Sequence, residues 1–115
     1  MRSTTFIIKG DDPLNAVSDF IRQYHQQAHE STYDGGFIRL YEDYSFLLGN
    51  DLVIGVRVDC NLATQGVILI EFIVGGGGTS PFGLNSWSRN KNRVKHFREQ
   101  LNEFCHTNGF SLEER

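Results

Sequence analysis

Apolar residues recur along this chain with two periods, and the switches between them mark out its elements. Residues 4–9 are rich in β-branched and aromatic side chains and stop at Gly10, which predicts a short first strand. Asp11-Asp12-Pro13 then announces a helix. Asp12 can cap it, Pro13 suits its first position, and Leu14, Val17, Ile21, Tyr24 and Ala28 recur at three- and four-residue spacing. That stripe fades between His29 and Thr32 and yields to Asp34-Gly35-Gly36, a turn signal. Between residues 37 and 74 the period becomes two. Four strands are expected there, separated by turn chemistry at Glu42-Asp43, at Gly49-Asn50-Asp51 and over residues 61–66. Leu52, Ile54, Val56 and Val58 form one alternating set, and Ile68, Ile70, Phe72 and Val74 another, so one face of the sheet is core. A second helix is expected from about residue 88 to 107, with Val94, Phe97, Leu101 and Phe104 as its stripe and Asn108-Gly109 as its stop.

The expected order is β-α-β-β-β-β-α. Short links between strands imply an antiparallel meander. Two helices packed on one face of a five-stranded antiparallel sheet make a two-layer α+β sandwich. This order resembles the helix-grip and TATA-binding-protein-like folds, whose curved sheets hold a long C-terminal helix. The resemblance is one of topology over most of the chain; no sequence motif is shared, and it implies neither an activity nor a set of residues.

Composition adds bounds. The 115 residues, 39% hydrophobic and 12% aromatic, suit one domain spanning 1–115. A chain of this length buries roughly 65% of its unfolded surface and needs no staple. Two cysteines, Cys60 and Cys105, fall short of a disulfide framework, and neither a secretory leader nor a run of 18 apolar residues is readable, so a cytosolic, non-membrane protein is expected. The net charge of −3 argues against a dedicated nucleic-acid binder. It hides a segregation, however: Arg89, Lys91, Arg93, Lys95 and Arg98 fall together with no acid among them, leaving six bases against fourteen acids elsewhere.

Two segments could hold an anion. Gly75, Gly76, Gly77 and Gly78 follow a strand and precede Thr79-Ser80, without the lysine of a phosphate loop and without the immediate helix of a dinucleotide fold. Four such residues either present successive amides to an anion or let the strand leave the sheet. Arg89, Lys91 and Arg93 crowd a helix start, where the backbone dipole disfavours bases by roughly 0.3–1 kcal/mol each. An anion held by the glycines, Ser86, Ser88 and these bases would offset that cost, as would neighbouring acids; snorkelling of the long stems is the plainer explanation.

Catalytic and metal chemistry find less support. His25 and His29 have the spacing of a helical ligand pair, but Gln26 stands where a zinc protease carries glutamate, and a third ligand from Glu30 or His106 cannot be placed. Cys105 borders the apolar stripe and reads as packing. Ser80 lacks a nucleophile elbow. Asp11-Asp12, Glu42-Asp43 and Glu113-Glu114 read as a cap, a turn and a terminus, and Trp87 as an anchor for the second helix. No catalytic residue, metal site or cofactor is therefore assigned, and the balance leans away from an enzyme.

The opposite face of the sheet carries too much apolar surface for solvent. Val53, Val67, Leu69 and Ile73 are expected there with Phe37 and Tyr41, among them a charge ladder of Arg39, Arg57 and Glu71. The expected function is a small binding or interaction domain that uses Phe37, Arg39, Tyr41, Arg57, Leu69 and Glu71 to pair with a second copy or a protein partner. The alternative is a module for a small phosphorylated ligand at the glycine loop and basic helix start.

Overall fold

The computed structural model describes residues 2–45, 50–76 and 86–115, and gives the backbone alone for residues 2, 43–45, 50, 51, 76 and 86–90. The chain runs β1 (Arg2–Lys9), α1 (Pro13–Tyr24), β2 (His29–Tyr33), β3 (Gly36–Ser45), β4 (Asn50–Asp59), a 3-10 turn at Ala63–Gln65, β5 (Val67–Gly76), α2 (Ser86–Asn108) and β6 (Ser111–Glu114). All six strands are antiparallel to their neighbours, in the order β2-β3-β4-β5-β1-β6. The sheet is an open α+β sheet of six strands rather than five.

The meander β2 to β5 brings the chain back to β1, and β6 closes the far side of β1 after α2. Phe6 and Ile8 from β1, Leu52, Ile54, Val56 and Val58 from β4, and Ile68, Ile70, Phe72 and Val74 from β5 point to one face. They form one buried cluster with Val17 and Ile21 of α1 and Val94, Phe97, Leu101 and Cys105 of α2. Both helices thus pack on the same face. Phe97 is its hub, stacked on Phe72 at 4.4 Å between ring centroids and edge-on to Tyr24 at 5.1 Å.

Four local expectations change. Asp12 does occupy the N-cap of α1, but in the left-handed region at φ 46° and without a side-chain capping bond. α1 ends at Tyr24, not near Ala28, because His25 turns extended (φ −145°, ψ 105°). Its carbonyl accepts a bond from Arg39 Nη2 at 3.0 Å, which satisfies one of the acceptors a helix end leaves open. Residues 29–33, expected as a fading helix, form the edge strand β2, joined to β3 through Asp34-Gly35 with Gly35 at φ 100°. Glu42-Asp43 is no turn: both lie inside β3, opposite Val53 and Leu52.

Candidate functional site

Register decides which side chains share a surface. In an antiparallel pair, facing residues point to the same side. Phe37, Arg39 and Tyr41 face Val58, Val56 and Ile54, so they belong to the helix side of the sheet. This corrects the sequence reading, which put them on the open side with Arg57, Leu69 and Glu71. Phe37 is 5% exposed and joins the core, Arg39 is 9% exposed, and Tyr41 packs against the core.

The buried Arg39 is held by charge. Its Nη1 donates to Glu30 Oε1 at 2.7 Å while Nη2 caps α1 at the His25 carbonyl. Glu30 also accepts from Arg22 Nε at 3.0 Å, and the Arg22 guanidinium lies over the Phe37 ring at 4.7 Å. Hydrogen bonding from Arg22, opposed by burial and assisted by Arg39, holds the Glu30 carboxyl below the usual range. These contacts fasten β2, β3 and the end of α1 together.

Beside this knot a cavity of about 200 Å³ opens between the helices and the sheet, lined among the described residues by Tyr24, His25, Tyr41, Ile54, Arg93 and His96. His25 stacks on Tyr41 with ring centroids 3.8 Å apart and planes 13° from parallel. Tyr24 Oη and His96 Nδ1 lie 2.8 Å apart. His25 Nδ1 is buried and has no hydrogen-bond partner among the described residues. Such a nitrogen costs roughly 1–3 kcal/mol unless something serves it.

The open face is the second surface. Ile38 and Leu40 of β3, Val53, Gly55 and Arg57 of β4, Leu69, Glu71 and Ile73 of β5, and Ser3, Thr5 and Ile7 of β1 point away from the helices. Leu40 and Val53 are 40% and 45% exposed. Leu40 and Ile73 close over Gly55, where an added Cβ would meet Leu40 Cδ2 at 3.1 Å. Arg57 Nε donates to Glu71 Oε1 at 3.2 Å, and Ser3 Oγ donates to Glu71 Oε2 at 3.3 Å. Hydrogen bonding with Tyr33, then Glu71, raises the Arg57 pKa above its ordinary value.

No protein-family model matches this sequence, and no curated protein matches it.

The expected anion site is only partly within the described residues. Gly75 and Gly76 are not loop residues: they sit in β5 opposite Val53 and Leu52, because β4 extends far enough to pair with them. Gly77 and Gly78 lie outside the described residues. Ser86, Ser88 and Arg89 fall in the first turn of α2, with backbone described and side chains not. Lys91 and Arg93 are exposed, both with interactions of their own, and Arg93 reaches the cavity that sequence reasoning missed. His25 and His29 are not one helical turn apart, since one ends α1 and the other starts β2. Among the described residues no group of three or more His, Cys, Asp or Glu is placed to hold a metal ion. No described helix is long and apolar enough to cross a membrane.

Proposed function

We propose that this chain is a non-catalytic binding domain that works as a homodimer, two copies meeting through the open faces of their sheets. The observation that carries this reading is the apolar row of exposed Leu40 and Val53 with half-buried Ile73, on a sheet whose two helices both pack on the other side. β3, β4 and β5 are ten residues long and β1 eight. At about 3.3 Å per residue and about 4.8 Å between strands, these four strands present on the order of 600 Å², within reach of the ~800 Å² per partner of a standard interface. The charges of this surface are paired among themselves, with Arg57 between Glu71 and Asp59. Aliphatic residues flank this paired row, and a two-fold axis through the apolar row would set that row against its own copy in an isologous contact.

Light scattering and sedimentation of the full chain test this, with a Leu40→Lys, Val53→Lys double variant. Both side chains are already well exposed, so the changes should leave the monomer fold intact. The wild type is expected as a dimer and the variant as a monomer with an unchanged circular-dichroism spectrum. A monomeric wild type at high micromolar concentration, or a variant that still dimerises, would overturn the reading.

A further inference from the structure

The C-terminal end of α2 carries chemistry that its role as a stop does not use. Asn108 closes the helix and Gly109 follows it at φ 71°, both exposed. The turn is a Schellman motif. The Phe110 N–H donates to the Cys105 carbonyl at 2.9 Å, and the Gly109 N–H to the His106 carbonyl at 3.4 Å. Asn108 Nδ2 adds a third bond, to the Phe104 carbonyl at 2.8 Å. Past the turn, Phe110 packs against Gly10 and, with ring centroids 5.9 Å apart, against Phe104, which delivers β6 to the edge of β1. Asn108-Gly109 is the one Asn-Gly step in the chain; each of the other asparagines precedes a residue that has a Cβ. A Cβ built on Gly109 would meet nothing within 4 Å, so solvent surrounds the step.

We propose that Asn108 is a site of spontaneous deamidation held back by this helix end, and that its conversion detaches β6 from the sheet. The Gly109 nitrogen gives its proton to solvent base and attacks Asn108 Cγ. An N–Cγ bond forms, the Cγ–Nδ2 bond breaks, and ammonia leaves after taking a proton from water. Water then opens the cyclic imide at Cγ to give aspartate, or at the backbone carbonyl to give isoaspartate. Glycine favours the attack because no side chain crowds the nitrogen. The folded turn opposes it, since the His106 carbonyl holds the nitrogen and the Phe104 carbonyl holds the leaving amide. A terminal turn opens locally at small cost, so this protection is finite, roughly five- to thirtyfold. Either product puts a carboxylate at the negative end of the α2 dipole and removes the donor to the Phe104 carbonyl. Isoaspartate also routes the main chain through Cβ, and the longer link no longer fits both the Phe110 bond and the pairing of Leu112 with Ile8. β6 has four residues, three of them exposed, to resist this. Its departure leaves the eight residues of β1 as an open edge.

The test incubates the full chain at mildly alkaline pH, native and unfolded in guanidinium chloride, and follows each asparagine by peptide mass spectrometry that separates aspartate from isoaspartate. Asn108 is expected to convert before any other asparagine, roughly five- to thirtyfold more slowly in the native chain than in the unfolded one. The isoaspartate form, isolated by chromatography and returned to native buffer, is expected to lose amide-exchange protection across β6 while keeping it in β4 and β5. Equal rates in the two states, another asparagine reacting first, or no native conversion after more than about thirtyfold the unfolded half-life would each overturn the proposal. Protection of β6 retained in the isoaspartate form would overturn its detachment.

Discussion

Replacing Arg39 by methionine separates the two faces that β3 could have presented. Methionine keeps most of the aliphatic stem, so packing changes little and the polar contacts are what is lost. Two bonds go: the ion pair to Glu30 at 2.7 Å and the bond to the His25 carbonyl at 3.0 Å. A hydrogen bond involving a charged group contributes about 1.5–3 kcal/mol, and a helix-end acceptor left open costs about 1 kcal/mol more. Glu30 keeps Arg22 and is about a quarter exposed, which recovers part of the loss, as does relief from desolvating a guanidinium. The net is roughly 2–3 kcal/mol, or about 8–12 °C in melting temperature for a domain of this size.

Urea unfolding at constant slope measures this directly. A double-mutant cycle with Glu30→Gln should return a coupling of about 1–2 kcal/mol. pH gives an independent signature. The folded Glu30 carboxyl titrates below its ordinary 4.5, so its contribution is present above about pH 4.5 and fades as the pH falls through the folded value. The Arg39→Met deficit is therefore largest near neutrality and shrinks in acid. A loss below about 0.5 kcal/mol, the usual cost of an exposed substitution, would put Arg39 on the open face and refute the register argument.

Two further outcomes follow from the backbone and from burial. Gly66 sits at φ 78° with the position of an added Cβ 2.5 Å from the Gly10 carbonyl oxygen, whereas Gly109 has a similar φ of 71° and nothing within 4 Å. Both alanine variants should lose about 1–2 kcal/mol to left-handed strain, and Gly66→Ala clearly more than Gly109→Ala; equal losses in urea unfolding would remove the Gly10 contact from the account. Burial pushes the Cys105 thiol up to about 11, so native Cys105 should resist alkylation near pH 8 at a rate tied to unfolding. A raised folded value adds stability that is complete below the ordinary 9.0 and lost as the pH climbs toward 11. Fast labelling of Cys105 in the folded chain would contradict its burial.

The central strands and α2 were readable because their signals are redundant. Each of β4 and β5 carries four inward residues in strict alternation, and Val94, Phe97 and Leu101 keep helical spacing over a long span. The edge strands had no such signal. β2 is exposed at four of its five positions and β6 at three of its four, so neither shows an apolar period, and their hydrogen bonds come from a neighbour already in place. Asp34-Gly35 did signal a turn, but a hairpin needs a strand on both sides, and residues 29–33 look like the tail of a helix stripe.

β3 failed for a different reason. Its two phases are both apolar, Phe37 and Tyr41 in one, Ile38 and Leu40 in the other, so alternation alone assigns neither to the core. An arginine in the first phase tips a local reading outward, since arginine is almost never buried without a partner. That partner exists, but it is Glu30 on the edge strand, together with a carbonyl at the end of α1, and neither can be placed until β2 and the helix end are known. The cavity inherits the same dependence. Its described lining comes from the end of α1, from β3, from β4 and from the second and third turns of α2, segments up to 72 residues apart that converge only after the inward phase of β3 is fixed. Arg93 was legible as a base near a helix start; its place beside Tyr41 in the cavity lining was not, because Tyr41 had been turned to the wrong side of the sheet.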